Sequence, residues 1–73
     1  MDDLRRAFGA AVRTLRQERG WTQEDLADAA HLQPTYVSDL ERGRRSPGMA
    51  TQQRIARALG VKVWQVFRLA EGD

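Results

Sequence analysis

An all-α fold of five short helices is what this sequence predicts, on three observations. Apolar residues recur at intervals of three and four, the period of a helix with one buried face. The periodic stretches are punctuated by Gly20, Pro34, Gly43 and Gly60, the residue types that end and begin helices. No apolar–polar alternation of the kind a strand needs persists for more than a few residues.

The first stretch places Leu4, Phe8, Ala11, Val12 and Leu15 on one side, with Arg5, Arg6, Arg13 and Glu18 on the other. Asp2 or Asp3 is suited to cap its start, and Gly20 to follow its end. The second start signal is more complete. Thr22 is the N-cap, Asp25 is the capping-box acid three residues on, and Trp21 and Leu26 are spaced as a hydrophobic staple. A helix therefore begins at Gln23, presents Leu26, Ala27 and Ala30, and runs only to about Ala30. His31, Leu32 and Gln33 separate it from Pro34, whose fixed φ and missing N–H suit the first position of a third helix reaching about Arg42. Val37 and Leu40 face inward there with Tyr36 at the edge, while Thr35, Ser38, Asp39 and Arg42 lie on the opposite side. After a basic turn, Arg44 to Gly48, a fourth helix carries Met49, Ile55, Ala56 and Leu59 on its inner face and ends at Gly60. A fifth, Val63 to Ala70, offers Val63, Val66, Phe67 and Ala70.

Seventy-three residues hold at most one domain, so residues 1–73 are expected to form a single unit, and most enzymes are excluded on size. With no Cys and one His, neither a disulfide nor a structural zinc site can support so small a core. Well-packed helices or a partner subunit must do so. No apolar run approaches a membrane span, and Met1-Asp2-Asp3 lacks the basic start of a signal peptide, so a cytoplasmic, nucleoid-associated location is expected. The net charge of +2 conceals a segregation along the chain. Residues 1–41 carry eight acids against five arginines, whereas residues 42–70 carry seven basic residues and no acid. That second segment suits a polyanion.

Two short helices joined by a tight turn, the second with a polar outward face, are the arrangement that places a helix in the DNA major groove. The residues presented to base edges would be Gln33, Thr35, Ser38 and Asp39. The resemblance becomes specific in three segments. These are Arg16-Gln-Glu-Arg-Gly-Trp-Thr-Gln-Glu-Asp-Leu-Ala, Pro34-Thr-Tyr-Val-Ser-Asp-Leu-Glu-Arg-Gly, and Ile55-Ala-Arg-Ala-Leu-Gly-Val. In this order and spacing they resemble the lambdoid-repressor or Xre-type helix-turn-helix family over nearly the whole chain, with the motif at about residues 22–42. The short length and the Thr35-to-Arg42 segment are similar to stand-alone regulators, including controller proteins of restriction–modification systems.

The resemblance implies a role for each matching position. Gln23 matches a phosphate-contacting glutamine at a helix start, where the dipole also favours an anion. Gln33, Thr35, Ser38 and Asp39 match the base-reading positions. Tyr36 matches a position that packs on the core or reaches a phosphate or thymine methyl, and Arg42, Arg44 and Arg45 match a loop that grips the backbone. Arg16 and Glu41 match a buried ion pair between the first and third helices. Dimerisation is expected through residues 61–70, because Trp64, Phe67 and Leu69 are more apolar surface than one short helix can hide, with Phe67 also able to close the monomer core.

The sequence departs from the family pattern in three places. Residues 22–41 hold five acids and no base, so the reading face lacks the arginine that most often reads guanine, and Asp39 needs a cytosine amine or a nearby arginine as partner. His31 stands where the family usually has Gly, which predicts a strained turn. Gln52 stands where a core Leu is usual and is either solvent-facing or buried with a partner. The implied function is a homodimeric, sequence-specific regulator of transcription on double-stranded DNA, controlled by its own concentration as autoregulated controllers are, with no cofactor, metal or small-molecule ligand. The alternative is a protein-interaction module such as an antitoxin or helical coactivator, which the acidic third helix favours. No nucleophile, general base and orienting group converge, so catalytic residues are not expected.

Overall fold

The computed structural model describes residues 2–72, with side chains described from residue 4. Five helices follow in order: α1 (Asp2–Glu18), α2 (Gln23–Ala30), α3 (Pro34–Glu41), α4 (Met49–Ala58) and α5 (Val63–Ala70). Among the described residues there is no strand, and no helix is long and apolar enough to cross a membrane. The expected cap by Asp2 or Asp3 lies outside the described side chains.

One turn device closes four of the helices. After α1, the N–H of Trp21 donates to the Arg16 carbonyl and that of Gly20 to Gln17. Leu32 and His31 repeat the pattern onto Ala27 and Asp28, Arg44 and Gly43 onto Asp39 and Leu40, and Val61 and Gly60 onto Ala56 and Arg57. This is the Schellman arrangement, and the residue at its centre must adopt left-handed backbone angles. Glycine fills that place after α1, α3 and α4, whereas α2 uses His31 at φ 58°. The strained turn expected at His31 is therefore a left-handed, non-glycine residue.

Helix α1 packs on α5 and α3, and α2 packs on α3 and α4. They share one core of Phe8, Val12, Leu26, Val37, Leu40, Ile55, Leu59 and Val66 with four alanines, Ala11, Ala27, Ala30 and Ala56. The small α2 residues Ala27 and Ala30 are buried, as their spacing predicts. The closest approach is at Gly9, where a Cβ would overlap the Leu40 carbonyl oxygen and lie 2.9 Å from that of Glu41. Only glycine lets α1 lie directly against the last turn of α3.

Two inward assignments are corrected. Met49 is 84% exposed and Leu4 44% exposed. Both sit in the first turn of their helices, where side chains lean back toward the N-terminus and so project beyond the edge of the core. Gln52, one turn after Met49, is half-buried, and its Nε2 donates to the Pro47 carbonyl at 3.0 Å. It anchors the basic turn to α4 in place of filling the core.

Candidate nucleic-acid interface

The start of α2 is built by its capping box. The Asp25 N–H donates to Thr22 Oγ1 at 3.1 Å, and the Thr22 N–H donates back to Asp25 Oδ2 at 2.9 Å. Trp21 packs partly buried against the core cluster that holds Leu26, and the Arg19 guanidinium covers its ring at 4.4 Å. The second helix thus enters at a fixed angle, with its first turn capped by Thr22.

Behind that entry lies the pair between Arg16 and Glu41. Arg16 Nε donates to Glu41 Oε2 at 2.7 Å and its Nη2 to Oε1 at 2.9 Å, a two-pronged contact with the carboxylate side chain only 2% exposed. The remaining guanidinium nitrogen, Nη1, donates to the Trp21 carbonyl at 2.7 Å. The hydrogen bond and charge of Glu41 raise the Arg16 pKa above its ordinary value, outweighing the opposing effect of burial. A link that sequence spacing does not show completes this network: Gln23 Nε2 donates to Glu41 Oε1 at 3.0 Å.

Helix α3 begins at Pro34 after Gln33, whose carbonyl accepts from Tyr36 and Val37 while its side chain makes no cap bond. Val37, Leu40 and Glu41 are buried, Gln33, Thr35 and Arg42 are exposed, and Ser38 and Asp39 are half-buried on the outer side. The four positions expected to read bases therefore lie along the outer side of α3, two of them exposed and two partly covered. The basic turn folds back onto it. Arg45 lies over the Tyr36 ring at 5.0 Å, with its Nε 3.9 Å from Asp39 Oδ2, so the acid on the outer side of α3 has an arginine beside it. Arg44 is exposed next to it. Gly43, at φ 77°, turns the chain into this loop against α1, with a hypothetical Cβ only 2.6 Å from Arg6 Cγ.

The C-terminal residues divide. Phe67 is half-buried, its ring 4.9 Å from that of Phe8, so it closes the core of its own chain. Trp64 is 56% and Leu69 38% exposed. Five residues apart, they lie about 140° around the helix from one another, on either side of Arg68. Among the described residues no group of three His, Cys, Asp or Glu side chains could hold a metal ion. The contacts that sequence reasoning missed, Gln23 to Glu41, Arg45 over Tyr36 and Arg54 Nη2 to the His31 carbonyl at 3.3 Å, all join separate elements.

Comparison with known proteins agrees with this geometry. Residues 12–63 match the helix-turn-helix family model. The competence pilus inhibition repressor of Acinetobacter baylyi is 43% identical over 64 residues, which cover 88% of this chain and 58% of the repressor. The chain spans about half the length of that repressor and of the regulator DdrOP3 of Deinococcus deserti, which it also matches. The crystal structure of the clp gene regulator ClgR from Corynebacterium glutamicum superposes with a TM-score of 0.89 at 40% identity, covering 94% of this chain and 90% of that one. The restriction–modification controller protein C.Esp1396I, solved as a tetramer with its natural 35-base-pair operator, superposes with a TM-score of 0.85 at 30% identity, covering 94% and 91%. With most of its length matched by the family model and its turn, capping box and buried ion pair in place, this chain belongs to the Xre, or lambda-repressor, type of helix-turn-helix proteins.

Proposed function

We propose that this protein is a sequence-specific regulator of transcription that binds double-stranded DNA as a homodimer, with α3 in the major groove. The observation that carries the reading is the outer side of α3, on which no other helix packs over Thr35, together with the capped start of α2, tied to the end of α3 by Gln23 and Glu41, and the exposed Arg42, Arg44 and Arg45 that follow. A groove about 12 Å wide admits one helix, and the elements beside that helix then meet the sugar–phosphate strands. In this arrangement Gln33, Thr35, Ser38 and Asp39 face base edges. Gln23, Tyr36, Arg42, Arg44 and Arg45 face the backbone. Two copies joined through Trp64 and Leu69 would present two such helices to half-sites roughly 34 Å apart. No cofactor or small-molecule effector enters this scheme, and regulation follows from concentration and operator layout.

A salt titration of binding to cognate and scrambled duplexes separates grip from reading. Selection from a random DNA pool supplies the cognate site. Arg44→Ala removes a phosphate contact, so it should weaken every sequence alike and reduce the salt slope by about 0.9 per lost contact, nearly 2 for a dimer. Thr35→Ala should cost roughly 1–3 kcal/mol on the cognate site alone and leave the slope unchanged. If both variants weaken both duplexes by one factor, α3 is not the reader and the protein-interaction alternative takes first place.

A further inference from the structure

The buried pair of Arg16 and Glu41 has more to do than hold α1 against α3. Glu41 Oε1 accepts two hydrogen bonds, from Arg16 Nη2 at 2.9 Å and from Gln23 Nε2 at 3.0 Å. A carboxylate only accepts, so the atom that Gln23 turns toward it must be the amide nitrogen, and the orientation of this amide is fixed by chemistry. One of its two N–H groups is spent on Glu41. The other, in the plane of the same rigid amide, is directed away from the carboxylate, at the first residue of α2.

We propose that Glu41 is a positioning residue for DNA binding: it holds the Gln23 amide so that the second N–H is presented as a ready-made donor to a backbone phosphate. This rests on the reading of Gln23 as a phosphate contact. An unheld glutamine would offer an oxygen as readily as a nitrogen, and an oxygen facing a phosphate repels it. A held one loses no rotamer freedom on binding. Because Glu41 is the last residue of α3 and Gln23 the first of α2, the same carboxylate fixes the gripping element relative to the reading helix. Arg16 completes the frame by holding the Trp21 carbonyl, two residues before Gln23.

The test replaces the pair without emptying its site. Arg16→Met with Glu41→Met substitutes apolar side chains for a buried ion pair, an exchange that commonly preserves or raises stability. We expect this double variant to melt close to the wild-type temperature and yet bind cognate and scrambled DNA roughly tenfold more weakly, the same loss expected of Gln23→Ala. Added to Gln23→Ala, the replacement should cause no further loss. Wild-type affinity in the pair variant, or an equal loss with and without Gln23, would make the pair purely structural and overturn the proposal. Failure of the wild-type chain to bind any duplex would overturn the regulator reading along with it. A second measurement uses the wild-type chain and covers the case in which the pair variant does not fold. The Gln23 side-chain proton donated to Glu41 should be shifted downfield of the exposed-glutamine position and, where the pair variant folds, should move back toward it there. Side-chain amide shifts equal to those of an exposed glutamine also overturn the proposal.

Discussion

Arg16 holds its proton more tightly in the folded chain than outside it, because Glu41 stands against its guanidinium. The sign follows directly: a raised pKa on a base gives a contribution that is full at neutral pH and lost only as strongly alkaline solution removes the proton. Around neutrality the arginine's side of the pair is therefore insensitive to pH, and stability there should not depend on it. Removing one partner is different, since it leaves a buried charge with no counter-charge, at a cost of several kcal/mol. Glu41→Ala should lower the melting temperature by well over 5 °C, because about 1 kcal/mol moves so small a domain by roughly 4–8 °C. A melting point within a degree of wild type would show that the pair contributes no more than an exposed one. His31 is the converse case. Its left-handed backbone costs an L-residue about 1 kcal/mol that glycine does not bear, and its carbonyl bond from Arg54 survives substitution. His31→Gly should raise the melting temperature by several degrees in a thermal scan. Gly9→Ala should lower it by more than 10 °C or prevent folding, because the added methyl meets backbone carbonyls, which cannot swing aside.

Between elements, the basic turn and α3 form one surface. Arg45 bridges them by covering Tyr36 and standing 3.9 Å from Asp39, a loose contact between solvent-accessible groups that contributes little to stability. Its consequence belongs to binding. Asp39 opposes phosphate, and Arg45 offsets that charge where α3 would enter the groove. Asp39→Ala should leave the melting temperature within a degree of wild type. It should also strengthen binding to scrambled duplex several-fold at low salt and narrow the ratio between cognate and scrambled affinities, which a fluorescence anisotropy titration would measure. An unchanged ratio would take Asp39 out of sequence reading.

For the whole molecule, α5 divides its apolar residues between two environments. Phe67 packs on Phe8 within the chain, whereas Trp64 remains more than half exposed. Phe67→Ala should therefore destabilise the protein by about 3 kcal/mol, as loss of a core aromatic does. Trp64→Ala should leave the thermal transition of the isolated chain nearly unchanged at low concentration. In sedimentation at tens of micromolar the wild-type chain should dimerise and Trp64→Ala should not. Monomers alone for both would remove the homodimer from the proposed function.

The sequence by itself determined everything that depends on local signals. Helical period, the Thr22 and Asp25 box, Pro34 at a helix start and the glycines of three Schellman turns place all five helices, since each is decided within a few residues. The ion pair of Arg16 and Glu41 was legible from family resemblance alone, because nothing in a spacing of 25 residues announces a contact. Periodicity turns Met49 inward but says nothing of where the core ends along the helix, and Met49 lies beyond that end. Gln52 stayed ambiguous for the same reason, until the Pro47 carbonyl supplied its partner. Only the tertiary structure decided that Gln23 is held by Glu41, that Arg45 leaves its loop to lie on Tyr36, and that Phe67 serves the core while Trp64 faces outward. Each joins residues from different elements, or weighs one face of a helix against its neighbours. Such contacts exist only once α1, α2, α3 and α5 have packed, because it is that packing which brings side chains remote in the chain within reach of a hydrogen bond or a ring face.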